Sequence, residues 1–279
     1  MSPMPSDDTG STDAPTVEGF GLEWTTYDQF DRDPESLRRS FERYFVRFPW
    51  QDLPADARGL DVGSGSGRWA AQVAARGLNV VALDASMDAL SVTTRRLPDA
   101  GVVNGSAVEL PFLDDGFDFA FSLGVLHHLP DTDGAMREIH RVLRPGAPFL
   151  VYLYYAFDNR PAWFRSMWRV SDVLRRRIAA SPPGLRLAIT RLIAALVYWP
   201  LSRLALGVER TGRDVGSLPL SGYRHQPFYV LKTDALDRFG TRLEKRYTRD
   251  EVRSMLTGAG FSSIEFNEDW PFWCAVARA

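Results

Sequence analysis

Between residues 58 and 154 short apolar runs alternate with stretches whose apolar positions recur every three or four residues. Such alternation marks consecutive β-α-β units laid on a parallel sheet. It predicts strands at Gly59–Val62, Val80–Leu83, Gly101–Val103, Phe117–Ser122 and Phe149–Tyr154. It predicts helices over Arg68–Ala75, Met87–Leu97 and Asp133–Leu143, the last with Met136, Ile139 and Val142 on its apolar side and Gly146 just past its end. The pattern resumes at Thr248, which caps a helix with a glycine exit. Two β-type runs follow, Ser263–Phe266 and Phe272–Ala277, parted by a turn around Asn267–Pro271 and suited to an antiparallel pair at the sheet edge. Ahead of the first strand, Pro34–Phe48 places Leu37, Phe41, Tyr44, Phe45 and Phe48 on one helical face.

From Ala156 to Lys245 the character changes. Phe164–Ala180 and Leu185–Gly207 read as helices rich in arginine and aromatic residues. Residues 159–245 hold 16 basic and 6 acidic side chains, a net of +10, which leaves −12 for the rest of a chain whose total is −2. The longest uncharged run, Leu192–Ser202, falls short of the about 20 residues of a membrane span, so a spanning helix is not expected and a basic amphipathic surface helix remains open. The expected organisation is a small, polar, acidic tail over 1–16 taken as disordered, an α/β domain from 17–155 and 246–279, and a helical insertion over 156–245. The single cysteine, Cys274, excludes an internal disulfide, and the N-terminus lacks a basic-then-apolar leader, so a cytoplasmic setting is expected.

The string LDVGSGSGRWA, Leu60 to Ala70, stands where a strand turns into a helix. Glycines there allow a tight turn and close backbone approach to a ligand. The spacing is G-x-G-x-G rather than the G-x-G-x-x-G of dinucleotide enzymes, and Arg68 holds the last place of that pattern. Asp84, at the tip of the second strand, can accept hydrogen bonds from two ribose hydroxyls or, alternatively, cap the next helix. The loop after the fourth strand carries His127 and His128. All these loops leave the carboxyl ends of strands, where open α/β sheets bind ligands. No Cys/His spacing suggests a metal.

In these strings the chain resembles the class I, Rossmann-like S-adenosylmethionine-dependent methyltransferases: LDVGSGSGRWA is similar to their glycine-rich first motif, LDAS to the ribose-binding acid, GSAVELPF to the adenine-side loop, FDFAFSLGVLHHLPD and LRPGAPFLVYLYY to the fourth- and fifth-strand motifs. The resemblance implies a seven-stranded α/β sheet with its last strand antiparallel, helices on both faces, and S-adenosylmethionine as cofactor. By it, Asp61, Gly63, Ser64, Gly65 and Gly67 surround the methionine part and Asp84 holds the ribose. Ala85, Ser86 and Met87 flank the adenine, Ser106 and Ala107 face its edge, and Leu123 lies under the cofactor; many relatives carry Asp at the place of Ser106.

Transfer from a sulfonium needs alignment and exclusion of water more than activation of the donor. For an acceptor that must lose a proton, His127 and His128 are the titratable candidates, against a packing role for one and a helix cap for the other; Tyr155 is the strand-five tyrosine set towards a pocket. Trp24 and Tyr27 are candidates for an N-terminal cover, or for packing. An insertion after strand five emerges over the carboxyl edge, so its arginines and aromatics are expected to roof a small-molecule acceptor that is apolar and anionic, with Arg224 as one ligand candidate and with peripheral membrane contact as the other use of the basic helices. Nucleic acid is not an expected partner, since the arginines interleave with apolar helix instead of forming an open patch. Two other readings are a nucleotide-dependent oxidoreductase and a non-catalytic binding or membrane-surface protein on the same fold.

Overall fold

A computed structural model describes residues 14–28, 30, 33–216 and 218–279; the expected tail lies outside the described residues except for 14–16, which open a helix. Seven strands form one sheet: β1 (Arg58–Val62), β2 (Asn79–Asp84), β3 (Gly101–Asn104), β4 (Phe119–Leu123), β5 (Pro148–Tyr152), β6 (Ser262–Phe266) and β7 (Ala275–Arg278). Their order is β3-β2-β1-β4-β5-β7-β6. The first five are parallel; β7 runs antiparallel to both neighbours, with Phe149 opposite Ala277 and Glu265 opposite Val276.

The helices are α1 (Ala14–Thr26), α2 (Pro34–Tyr44), α3 (Arg68–Ala74), α4 (Met87–Arg96), α5 (Thr132–Val142), α6 (Ala162–Ala179), α7 (Pro183–Ile193), α8 (Trp199–Glu209), α9 (Phe228–Gly240) and α10 (Arg249–Gly258). Local chemistry sets their starts. Asp33 accepts from the Ser36 amide with Pro34 beside it, Ser86 and Asp131 cap α4 and α5, and Thr248 with Glu251 forms a capping box on α10. On one face of the sheet Met136, Ile139 and Leu256 bury against Leu60, Phe117 and Phe149. On the other, Phe41, Phe45, Trp69 and Val73 cover Phe119, Phe121 and Leu150, and Phe41 stacks on Phe45 at 4.1 Å. Truncating a ring such as Phe41 costs about 3–5 kcal/mol.

Several boundaries move from those expected. β4 starts at Phe119 because Phe117 bridges to Leu143; β5 stops at Tyr152, and Tyr155 bridges instead to Tyr247 in the chain returning from the insertion. Asp131, not a histidine, caps α5. Two helices had no counterpart in the pattern, α1 and α9, and both lie against the cavity described below.

The insertion is built on α9, whose buried Leu231, Ala235 and Phe239 meet Ile178, Ala194 and Tyr198. The arginines of α6 and α7 serve as internal ties. Arg175 pairs with Asp172 at 2.7 Å and donates to the Thr241 carbonyl, and Arg186 donates to the Gly240 carbonyl, two cations at the negative end of α9. α7 and α8 run on through a π turn at Ala194–Tyr198 as one 27-residue helix, Pro183–Glu209, long and apolar enough by length and composition to cross a membrane. The longest uncharged run understates that length, because Arg186, Arg191 and Arg203 are spaced widely enough that an apolar window fits among them.

Candidate functional site

The carboxyl ends of β1, β2, β4 and β5 open into one cavity of about 570 Å³, closed on the far side by α1 and, in the insertion, by Gly216 and residues 218–224 and by α9. Its size falls within the about 300–1,000 Å³ of small-molecule sites. Gly63, Ser64, Gly65, Asp84, Ala85, Ala107, Leu123, His128 and Tyr155 line it, which brings nine of the expected site residues together.

The glycine loop is held by its own backbone. The amides of Gly63 and Ser64 donate to the Leu83 carbonyl at 2.8 and 3.0 Å, and that of Gly67 to Ser64. The Gly65 amide donates to Asp84 Oδ2 at 2.9 Å, while the Ser86 amide donates to Oδ1 at 2.9 Å. Asp84 therefore clamps the loop to β2 and still presents its remaining lone pairs. These four amides are spent inside the protein and are not available to a pyrophosphate. Gly65 has φ +55°, and a Cβ there would stand 2.8 Å from the indole of Trp24 on α1. Trp24 thus covers the loop, as one of its two expected uses, whereas Tyr27 is buried and its hydroxyl accepts from Arg191. Gly124, just past β4, has φ +80° and nothing within 4 Å of where a Cβ would stand.

Six expected site residues do not line the cavity. Asp61 is buried beneath the loop, with its carboxyl pushed well up first by burial and then by the nearby Asp84 charge. Gly67 turns the chain into α3 against Thr93, and Ser86 serves as the α4 cap. Met87 is 66% exposed in the first turn of α4, and Ser106 bridges to Glu109. His127 is fully buried behind the lining, its ring stacked on Tyr154 at 3.9 Å, so it offers no face to a ligand there.

His128 is the histidine of the site. Its Nδ1 lies 2.6 Å from the Leu243 carbonyl, which can only accept, so the proton sits on Nδ1 and Nε2 keeps a lone pair without a hydrogen-bond partner. Burial lowers its pKa to about 4. Two groups that sequence reasoning passed over meet nearby: Tyr154 donates its hydroxyl to Asp237 of α9, and both line the cavity. Burial raises Asp237 to about 6 and lifts the Tyr154 hydroxyl well above its usual value, with the Asp237 charge as the next cause. Arg246, paired with Glu244 at 2.7 Å, lies over the rings of Tyr154, Phe157 and Trp168. Only residue spacing across 83 positions separates Tyr154 from Asp237, and no local signal joins them.

The arginine roof is corrected. Of the nine arginines in 159–207 only Arg160 lines the cavity among the described residues; Arg175 and Arg186 are internal ties, and Arg176 and Arg177 face solvent. Trp168 packs behind Phe157, whereas Phe164 reaches the lining. Arg224 does line it, already paired with Glu209 at 2.7 Å, and His225 binds the same carboxylate outside.

A family profile described as a methyltransferase domain matches residues 60–151. The chain is 38% identical over 161 residues to a demethylmenaquinone methyltransferase of Renibacterium salmoninarum, covering 54% of this chain and 66% of that one. It is 31% identical over 224 residues to a demethylmenaquinone methyltransferase of Beutenbergia cavernae, covering 70% of this chain and 90% of that one. The chain spans about half to two thirds of the length of the first curated relatives it matches. A Haemonchus contortus phosphoethanolamine N-methyltransferase 2, solved with phosphomonomethylethanolamine and S-adenosylhomocysteine, superposes with a TM-score of 0.52 at 19% identity over 92% of this chain and 44% of that one, a likeness of fold alone. With the sheet order found here and a relative aligned along 90% of its length, the chain belongs to the class I, Rossmann-like S-adenosylmethionine-dependent methyltransferase family.

Proposed function

We propose that this chain transfers a methyl group from S-adenosylmethionine to a small-molecule acceptor held in the same cavity. The observation that carries the reading is the continuity of one cavity from the glycine loop and Asp84 to Tyr154, Asp237 and Tyr223 under the insertion. The residues fit the cofactor. Ser64 and Ser66 keep buried hydroxyls without partners beside the loop, Asp84 keeps acceptor capacity at the tip of β2, and the bare face of Gly124 leaves room above β4. Asp84 is the ribose partner, Leu83, Ala85 and Ala107 flank the adenine end, and Gly63, Ser64 and Leu123 border the methionine end. Asp61, Gly67 and Ser86 act one layer back by shaping that loop. The bound cofactor supplies an electrophilic methyl on a sulfonium.

The chain's own work is to hold the acceptor in line and keep water out. Aromatic residues of four elements, Trp24, Tyr44, Tyr152 and Phe164 among them, make the cavity apolar enough for that. Where the acceptor atom carries a proton, the Asp237 carboxylate, near 6, is the group placed to take it, and Tyr154 orients Asp237. The names of the relatives, demethylmenaquinone methyltransferases, support a small-molecule acceptor. Titration calorimetry with S-adenosylmethionine and S-adenosylhomocysteine, then labelled-methyl transfer to a panel of quinone and phenol acceptors, tests the reading. Saturable one-site binding of both and label in an acceptor are expected; absence of cofactor binding by folded protein overturns it.

A further inference from the structure

The insertion turns a large apolar surface outward. On α6, Trp163, Met167, Val170 and Leu174 follow one another at spacings of four, three and four, and are 53%, 46%, 74% and 53% exposed. That spacing puts them in one row along the helix, beside the row that buries Asp172, Arg175 and Ile178. On α7 and α8, Leu185, Leu192, Leu196 and Leu204 are exposed, while Arg186, Thr190, Tyr198 and Ser202 face inward. An ordinary soluble surface scatters single leucines; two helices each presenting an apolar row call for a partner.

We propose that α6, α7 and α8 dock on the surface of an anionic lipid bilayer, with the apolar rows in the acyl boundary and the arginines at the headgroups. Charge decides the occupant. Arg165, Arg169 and Arg177 are exposed, with no acidic partner among the described residues, and residues 159–245 carry +10 against −12 for the remainder. A second copy would bring like charge against like, whereas an anionic headgroup layer supplies the counter-charge. Trp163 and the exposed edge of Trp199 suit the boundary between apolar and wet layers.

The long helix lies in that surface and does not cross it. Its inner side is tied along its length: Arg186 to the Gly240 carbonyl, Arg191 to the Tyr27 hydroxyl and Arg203 to the Gln226 carbonyl. Spanning would break all three and leave arginines in hydrocarbon, while lying flat keeps them and buries only the outer row.

The test is flotation of the full chain with phosphatidylcholine vesicles and with vesicles containing phosphatidylglycerol, at low and high salt. Binding to the anionic vesicles that weakens with salt is expected. Leu192→Asp with Leu196→Asp should cut the bound fraction about tenfold or more. Arg165→Gln, Arg169→Gln and Arg177→Gln together should cut it severalfold and flatten the salt dependence. Unchanged circular dichroism and S-adenosylhomocysteine affinity keep misfolding distinct, and the arginine variant stands alone if the aspartates disrupt folding. Equal binding to both vesicle types, or none, overturns the proposal. So does a doubled mass by light scattering that Leu192→Asp with Leu196→Asp abolishes without any vesicle binding, which assigns the face to a second copy.

Discussion

Replacing Asp84 with alanine removes the clamp between the glycine loop and β2. Two backbone donors, Gly65 N and Ser86 N, each lose a carboxylate oxygen at 2.9 Å. Hydrogen bonds to charged groups contribute about 1.5–3 kcal/mol each. Part of this is offset, because burial already raises the Asp84 pKa and its removal relieves that cost. The net loss is then about 2–4 kcal/mol, which leaves the chain folded but lowers its melting temperature by roughly 5–15 °C. Asp84→Asn keeps one acceptor oxygen and turns an amide group towards the other donor, so it should fall in between. Loss of the ribose partner adds to the ligand side, and S-adenosylhomocysteine affinity in calorimetry should drop about tenfold or more, tenfold being about 1.4 kcal/mol. A variant that melts early yet binds S-adenosylhomocysteine as wild type refutes the ribose role; one that melts with wild type refutes the clamp.

Gly65→Ala meets both a left-handed backbone and the Trp24 ring, so its melting point should drop; adding Trp24→Ala should recover the part due to contact and leave about 1–2 kcal/mol of backbone strain. Native His128 stays neutral with a pKa lowered to about 4, while the unfolded imidazole, near 6.5, takes up a proton first, so stability is lost as pH falls from 6.5 towards 4. In urea melts His128→Phe should close about 2 kcal/mol of the wild-type difference between pH 7 and pH 5; an unchanged difference would mean that the imidazole is charged in the fold. Arg175→Ala takes away one of the two arginines on Asp172, leaving Arg176 on its other oxygen, and removes the donor to the Thr241 carbonyl, so it should cost about 1–3 kcal/mol by chemical denaturation, whereas Arg177→Ala, on the exposed side of α6, should cost almost nothing.

The α/β part was legible because its signals are local. Short continuous apolar runs, caps such as Ser86 and Thr248, and the glycine string each sit within a few residues of what they determine. Some boundaries moved where a distant partner intervened, as Tyr247 does for Tyr155, and others by local geometry, as where α2 stops at Tyr44 instead of Phe48. The insertion was legible as helix but not as chemistry. Arginines on an amphipathic helix look alike whether they face a ligand, a solvent or a carbonyl, and here Arg175 and Arg186 found the end of α9. Asp237 stayed hidden for the same reason: in the sequence it is one acid among basic residues, and only burial against Tyr154 sets it apart.

The place of β7 has a consequence for how the chain assembles. Among the described residues β6 pairs with no strand but β7, and β7 joins the parallel sheet by pairing with β5 across a separation in which the whole insertion is made. During synthesis β1 to β5 can therefore collapse early on short loops, while β6 must wait, its edge unpaired, until Ala275–Arg278 slides in between it and β5. The closing step joins Phe149 to Ala277, and the loop it closes carries α6 to α10, so the roof of the cavity and the last seam of the sheet are completed together.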